Sequence, residues 1–409
     1  MYMKKGRFII VVLDGFGIGA MDDVAKVRKQ DLGSNTALKL IDYDKEKNWD
    51  TLLDLGLMNA IGEERENFKK AKKPIYATAN LKHFGADTYF GHQEISGSDP
   101  KKPRMEAIKG YLDDIQKDLE SEGFTVERIE KNNNELLKVN NMICVGDNME
   151  TDLGQAINVV GALDDSGWDM IEKVGKIVRR NVYVARVIAF GGSNVSIERI
   201  EANIISKEEF IGVDAPGSGV YDKNYHVIHL GYGVDTSKQF LIKVKEAGYK
   251  NRLYGKVADI VYNPDDYYRP GVDTDGIFDE AIKDIKANDQ GLFFINIQET
   301  DLSGHAEDPD RYINILNTAD PRIKEIIELL NKEDILVVMA DHGNDPFVGH
   351  SHHTREKVPV LIKVKNNDEK LNLGNRATMA DVGATVAEYF DTSIEAGTSF
   401  LEDLKDKFK

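Results

Sequence analysis

One stretch near the C-terminal end of the chain concentrates histidine and aspartate. Residues 337–362 read VVMADHGNDPFVGHSHHTREKVPVLI, and beside Asp341 and Asp345 they include four of the nine histidines of the chain: His342, His350, His352 and His353. Imidazole nitrogens and carboxylate oxygens together suit a divalent metal ion. A polar surface loop after a buried strand is the simpler interpretation, and the remaining sequence distinguishes the two.

Three apolar runs are each followed by the same kinds of side chain. The runs are residues 8–13, 292–297 and 335–340. The polar residues that follow them are Asp14, Asp301, His305, Asp341 and His342. Short apolar runs without polar alternation are typical of parallel strands buried on both faces, and ligands of such sheets lie beyond the carboxyl ends of the strands. Together with His353, these side chains are sufficient to bind two ions, which favours the metal site.

Helical patterns lie between the apolar runs. One of them has Asp320 at a suitable N-cap position and Pro321 in the first turn, followed by apolar residues in helical spacing over 323–330. Alternating strands and helices predict an α/β fold with a mostly parallel sheet flanked by helices.

The middle of the chain has the character of an inserted domain. It contains strand-like segments at 142–145 and 182–189 and a helical segment at 105–121, and it separates Asp14 from the later candidate ligands. A chain of 409 residues is long for one hydrophobic core. We therefore predict two domains: a metal-binding core of residues 1–98 and 220–409, and a smaller α/β cap domain of residues 99–219.

Composition excludes several classes of protein. A net charge of −17 disfavours nucleic acid as a partner, since a basic face is the usual footprint. No apolar run approaches the roughly 18 residues of a membrane span. Cys144 is the single cysteine, so no intrachain disulfide can form, which favours a cytoplasmic location. Gly15, Gly17 and Gly19 follow the first run without the full spacing of a dinucleotide-binding motif, and neither a P-loop nor a GxSxG elbow is present.

Six segments resemble the phosphopentomutases, which belong to the alkaline phosphatase superfamily and are related to the cofactor-independent phosphoglycerate mutases. The segments are VVLDGFGIGA, GADTYFGHQEI, ARVIA, YGKVADIV, ADHGNDPFVGHSHHTREKVPVLI and MADVGATVAEYF. The resemblance implies an alkaline-phosphatase-like core, two divalent ions (usually manganese, with zinc or magnesium also able to use these ligands) and a sugar bisphosphate as activator. The implied reaction interconverts the 1-phosphate and 5-phosphate of ribose or deoxyribose, so the expected partner is a small sugar phosphate rather than nucleic acid or membrane.

The resemblance also implies which residues bind the metals. Asp14, Asp341 and His342 would bind one ion. The second ion would be bound by Asp301, His305 and His353. His350 and His352 are expected to be loop residues or partners of the ligands.

Five further residues receive expected roles, four of them from the resemblance. Thr88 would carry the phosphoryl group and touch both ions, because metal coordination activates an otherwise poor hydroxyl nucleophile. Lys256 would add positive charge near the phosphate. Asp147 and Arg186 would hold the substrate from the cap domain, and His92 would orient the Thr88 loop.

The sequence also departs from the phosphopentomutase pattern. Asp301 and His305 are one residue closer together than in that family, a spacing that phosphoglycerate mutases have. The segment VGDNMETD around Asp147 replaces a serine-bearing segment, and the phosphate-clamping arginine expected after Arg186 has only Arg199 as a substitute. A metal-dependent phosphohydrolase, or a mutase acting on another phosphorylated metabolite, therefore remains the alternative. A non-catalytic metal-binding protein would have no need of Thr88.

Overall fold

The computed structural model describes residues 5–45, 49–150 and 153–408 and divides the chain into two compact units. The first, here called the core unit, comprises Met1–Pro100 and Asp235–Lys409. The second, the insert unit, comprises Lys101–Val234. Within the described residues, no helix combines the length and the apolar composition that crossing a bilayer requires.

The strands are numbered in chain order. They are β1 (Arg7–Leu13), β2 (Ile75–Ala79), β3 (Val126–Lys131), β4 (Asn134–Val139), β5 (Ile143–Asp147), β6 (Ala156–Ala162), β7 (Arg186–Gly192), β8 (Ile204–Lys207), β9 (Phe210–Val213), β10 (His226–Gly231), β11 (Asn251–Tyr254), β12 (Tyr268–Arg269), β13 (Gly291–Ile297), β14 (Ile335–Met339), β15 (Val358–Val364) and β16 (Leu371–Arg376).

The α-helices are numbered in the same way. They are α1 (Val24–Val27), α2 (Thr36–Tyr43), α3 (Asp50–Leu55), α4 (Leu57–Ile61), α5 (Thr88–Ile95), α6 (Leu112–Ser121), α7 (Leu163–Ser166), α8 (Trp168–Asn181), α9 (Ile197–Ala202), α10 (Ala215–Ser218), α11 (Phe240–Glu246), α12 (Val257–Ile260), α13 (Thr274–Ala287), α14 (Glu299–His305), α15 (Pro309–Glu328), α16 (Ala380–Tyr389) and α17 (Leu401–Leu404).

An eight-stranded sheet forms the centre of the core unit, in the order β12-β11-β13-β1-β14-β15-β2-β16. The five strands from β12 to β14 are parallel, β15 is antiparallel to both its neighbours, and β16 is parallel to β2. Every residue of β1, β13 and β14 is buried, as expected for continuous apolar runs in a parallel sheet. The predicted α/β class with a mostly parallel sheet is confirmed.

The register of these three strands brings the polar residues to one edge of the sheet. Leu13 at the end of β1 pairs with Ile297 at the end of β13, and Val12 pairs with Met339 at the end of β14. Asp14, the start of helix α14 and Asp341 therefore all lie at the same edge of the sheet.

The insert unit has a hydrophobic core of its own beneath a six-stranded sheet, in the order β10-β7-β6-β5-β4-β3. Its final strand, β10, pairs with β7, with Gly231 opposite Arg186. The unit thus continues to Val234, whereas the sequence-based boundary at 219 stops before β10. That boundary missed the strand because its partner lies earlier in the chain.

One predicted helix start is wrong. Helix α15 begins at Pro309, with Asp308 as its N-cap, and continues through Pro321. Asp320 does not cap its own helix, because its carboxylate accepts hydrogen bonds from the backbone N–H groups of Thr51 (3.1 Å) and Leu52 (2.8 Å) at the start of α3.

Candidate metal centre

The first cluster of candidate ligands lies where β1 and β14 end. Asp14, Asp341 and His342 are fully buried, and His342 Nε2 lies 3.3 Å from Asp14 Oδ1 and 3.2 Å from Asp341 Oδ2. Their ligand atoms lie within 4.8 Å of one another, close enough to hold one cation. These are the three residues predicted to bind the first ion.

The second cluster lies beside α14. His353 Nε2 is 3.3 Å from Asp301 Oδ1, and His305 Nε2 is 3.5 Å from Asp301 Oδ2 and 2.9 Å from His353 Nε2. His305 is four residues after Asp301, so the helix presents both side chains on one face. The ligand atoms of Asp301, His342 and His353 lie within 4.8 Å of one another. His342 therefore lies between the two clusters, while His305 approaches the second from its exposed side.

Two buried atoms test whether these residues fit a cation. Asp14 Oδ1 and His342 Nε2 are buried, and neither has a hydrogen-bond partner among the described residues. Buried polar atoms are normally satisfied, so the pair fits an additional group between them. Carboxylate and imidazole donors without thiolate suit manganese, zinc or magnesium. The donor set therefore fits divalent metal ions.

The charges in the first cluster oppose the effect of burial. Burial raises the pKa of the Asp341 carboxyl, but the rings of His342 and His92 outweigh it and hold the pKa well below its usual range. Burial lowers the pKa of His342, yet Asp341 and Asp14 raise that pKa well above its ordinary value. The cluster thus attracts positive charge strongly.

Lys256 links the two clusters. Its Nζ lies 3.0 Å from Asp14 Oδ2 and 3.1 Å from Asp301 Oδ2. Burial alone would lower the pKa of Lys256, but Asp14, Asp301 and Asp341 together hold it above its usual range. The ammonium group therefore stays protonated beside both sets of carboxylates.

Thr88 is the first residue of α5 and faces the first cluster. Its Oγ1 donates a 2.8 Å hydrogen bond to Asp341 Oδ2. Asp87 caps the helix by accepting a 3.0 Å hydrogen bond from Phe90 N. Thr88 is half-buried, and a helix N-terminus favours negative charge on or near its first residues. The structure thus brings the predicted nucleophile to the predicted ligands.

Two neighbouring side chains, those of His92 and Asn296, contact these groups. His92 Nδ1 lies 2.9 Å from Thr88 O and 3.2 Å from Asp341 Oδ2. Asn296 Nδ2 lies 3.0 Å from Asp14 Oδ2 and 2.9 Å from His92 Nε2. Sequence reasoning missed Asn296, although it is the one polar residue within an apolar run.

The remaining two histidines of the segment lie outside both clusters. His350 Nε2 contacts Asp31 Oδ1 at 3.1 Å, and His352 is exposed. Both belong to the loop between β14 and β15, as the sequence suggested.

The two residues predicted to hold substrate belong to the insert unit. Asp147, the last residue of β5, is fully buried, and its two carboxylate oxygens accept hydrogen bonds from Ile108 N (2.7 Å) and Ile211 N (2.9 Å). This arrangement holds together three segments of the unit, which differs from the predicted sugar-binding role. Arg186 is half-buried at the start of β7.

Comparison with known proteins places this geometry in context. Over 97% of its length, the chain is similar to the PH0037 protein from Pyrococcus horikoshii (100% of that chain, 15% identity, TM-score 0.45) and to Leishmania mexicana phosphoglycerate mutase (97% of that chain, 12% identity, TM-score 0.44). Over 95% of its length, it is similar to alkaline phosphatase from the Antarctic bacterium TAB5 (99% of that chain, 12% identity, TM-score 0.37). These similarities identify neither a substrate nor a reaction.

The model of the metalloenzyme superfamily matches residues 6–394. The match covers most of the chain, which also has two clusters of candidate metal-ligating side chains, and the chain belongs to the metalloenzyme superfamily.

Proposed function

We propose that the protein is a metal-dependent phosphomutase that interconverts the 1-phosphate and 5-phosphate of ribose or deoxyribose through a phosphothreonine at Thr88. One observation carries the proposal: the Thr88 hydroxyl lies 2.8 Å from Asp341 within the first metal-ligating cluster. A protein that only bound metal would not need a hydroxyl at this position.

The chain's own residues provide for phosphoryl transfer. A pentose bisphosphate passes a phosphoryl group to Thr88 Oγ1: a phosphorus–oxygen bond to the sugar breaks and one to Thr88 forms. The hydroxyl proton that Thr88 donates to Asp341 Oδ2 ends on the departing sugar oxygen, which becomes a hydroxyl group. Lys256 supplies positive charge beside Asp14 and Asp301. Bound divalent cations would lower the pKa of the threonine hydroxyl and neutralise phosphoryl oxygens.

Transfer to a sugar hydroxyl rather than to water distinguishes a mutase from a phosphatase. A mutase has to exclude water while the sugar phosphate reorients. We propose Arg186 as the residue that holds the distal phosphate.

The test measures both products in one reaction. Purified protein loaded with Mn²⁺ and activated with ribose 1,5-bisphosphate is given ribose 1-phosphate, and phosphorus NMR measures ribose 5-phosphate and free phosphate. We expect ribose 5-phosphate to form faster than free phosphate.

Intact-mass spectrometry tests the phosphothreonine directly. The wild type should gain one phosphate, Thr88→Ser should gain one phosphate more slowly, and Thr88→Ala should gain none. Thr88→Ala should lower turnover by about 1000-fold or more while melting like the wild type. Full activity of Thr88→Ala would exclude the phosphothreonine.

A second candidate function is a phosphohydrolase, or a mutase that acts on a different phosphorylated metabolite. Asp147 favours it, because both oxygens of this predicted sugar ligand are bound to backbone N–H groups. If free phosphate dominates with every pentose phosphate tried, the phosphohydrolase replaces the mutase. If another sugar phosphate is isomerised faster, only the substrate changes.

A further inference from the structure

The loop that leads into Thr88 has no regular secondary structure, yet its carbonyl groups converge on one side chain. Arg355 donates hydrogen bonds to the backbone oxygens of Leu81 (3.0 Å), His83 (2.8 Å) and Gly85 (2.6 Å). Arg355 is only 4% exposed, and three charge-assisted hydrogen bonds from one planar group fix the path of the loop.

The amide groups of the same loop converge on a carboxylate. Glu94 accepts hydrogen bonds from Lys82 N (3.1 Å) and His83 N (3.0 Å), and it belongs to α5, the helix that begins at Thr88. Two buried charged side chains thus satisfy backbone groups that a strand would otherwise satisfy. Glu94 ties the loop to its own helix, whereas Arg355 ties it to a distant segment.

That distant segment is the one that carries the second cluster's histidine. Arg355 follows His353 by two residues, and its backbone N–H donates to Asp31 Oδ2 at 2.8 Å. Arg28 binds the same Asp31 oxygen at 2.6 Å and donates to His353 O at 2.8 Å. Asp23 holds the guanidinium of Arg355 through two hydrogen bonds of 2.9 Å. A shift of His353 would therefore be passed to Arg355.

We infer that Arg355 is a positioning residue that couples metal binding at His353 to the placement of Thr88. When His353 is held by a cation, Arg355 is held too, and the three carbonyl groups that it binds keep the loop in place. The inference rests on the proposed function only in that Thr88 is the nucleophile. The mechanical coupling itself stands on the contacts of Arg355.

Hydrogen exchange tests the coupling without any substrate. The variant is Arg355→Lys, because a single ammonium cannot reach three carbonyl oxygens and a bidentate carboxylate together. The matched control is Arg376→Lys, since Arg376 also binds one carboxylate, Asp381 (2.6 Å), and a backbone oxygen, that of Thr398 (2.9 Å). Exchange of a peptide covering residues 81–87 is followed by mass spectrometry with and without Mn²⁺.

We expect Mn²⁺ to slow exchange in this peptide by about tenfold or more in the wild type and in Arg376→Lys, and to have little effect in Arg355→Lys. Equal metal protection in Arg355→Lys would overturn the inference. If Arg355→Lys does not fold, Asp23→Asn replaces it, because it loosens the guanidinium and leaves the carbonyl contacts. Faster exchange of metal-loaded Asp23→Asn than of the wild type supports the coupling, and unchanged exchange overturns it.

A second readout separates positioning from general destabilisation. In Arg355→Lys, phosphorylation of Thr88 should slow by about tenfold or more, with KM and bound metal unchanged, whereas Arg376→Lys should keep the wild-type rate. If wild-type Thr88 is never phosphorylated but exchange follows the expected pattern, the proposed function fails and the coupling remains. If phosphorylation is as fast in Arg355→Lys as in the wild type, Arg355 does not position the nucleophile.

Discussion

Two buried carboxylates at strand ends, one in each unit, have opposite surroundings. Asp341 follows β14 in the core unit and faces Thr88, His92 and His342. Asp147 ends β5 in the insert unit and faces two backbone N–H groups. Both are fully buried, so burial alone does not tell them apart.

The difference lies in what satisfies each carboxylate. Backbone N–H groups are fixed donors that complete a turn or a junction, and here they hold both carboxylate oxygens of Asp147 in place. Side chains of histidine and threonine can be displaced or ionised, so Asp341 can exchange partners during a reaction. The nature of the partner, rather than the position at a strand end, distinguishes a reactive carboxylate from a structural one.

The largest expected effect concerns the metal content of the two sites. In Asp341→Asn, bound Mn²⁺ should fall by about one ion per chain, and turnover should fall by about 1000-fold or more, because a ligand and the partner of Thr88 are lost together. Elemental analysis of gel-filtered protein measures the metal. Asp147→Asn is the matched control and should keep both metal and turnover per folded molecule. Loss of turnover in folded, metal-loaded Asp147→Asn would make Asp147 a substrate ligand.

The next effect concerns the charge between the two metal-ligating clusters. Lys256→Met removes a cation buried between Asp14 and Asp301, which should destabilise the metal-free protein by about 3 kcal/mol or more. Saturating Mn²⁺ should recover most of this loss, since it supplies the missing positive charge. Melting curves with and without metal measure both changes, and Lys5→Met is the control because Lys5 pairs with the largely exposed Asp391. A loss that metal does not repair would mean that Lys256 stabilises the fold through packing.

The smallest effect is a pH dependence in the insert unit. Burial raises the pKa of Asp147 to about 6, although Ile211 N and Ile108 N oppose it. Because the folded state holds this proton more tightly than the unfolded chain, the contribution of Asp147 to stability is complete below about pH 4 and is lost as pH rises through about 6. Across this window, the free energy of unfolding of the wild type should therefore fall by about 2 kcal/mol relative to that of Asp147→Asn. The difference between their melting temperatures should shrink accordingly. A difference that stays constant from about pH 4 to about pH 7.5 would show that Asp147 does not titrate there.

Sequence patterns predicted the strands of the core unit, but they did not predict the long-range contacts between its elements. The apolar runs became β1, β13 and β14 because continuous apolar segments can be buried on both faces only in the interior of a sheet, and this placed Asp14 and Asp341 together. The start of α15 was missed because Asp320 caps a helix 268 residues away, at Leu52. Local spacing carries no information about such partners.

The same limit applies to the site and to the insert unit. The family resemblance paired His305 with Asp301 and His353, whereas the three residues whose ligand atoms lie within 4.8 Å of one another there are Asp301, His342 and His353. The path of the loop after β14 decides which ring comes near Asp301. The partners of Asp147, Ile108 and Ile211, are 39 and 64 residues away and contribute only backbone atoms. Backbone partners leave no trace in side-chain identity, so the structural role of Asp147 could not be predicted.

During synthesis, β1 leaves the ribosome long before either of the strands that flank it in the sheet. At about 5–20 residues per second, β13 and β14 follow tens of seconds later, and the whole insert unit is made in between. Until then the buried strand Arg7–Leu13 has unpaired backbone edges and an apolar sequence, which are features that promote aggregation. The two metal-ligating clusters are complete only once His353 has emerged. The second cluster is therefore completed late in the formation of this protein, and a nascent chain that stops short of His353 lacks one of its candidate metal ligands.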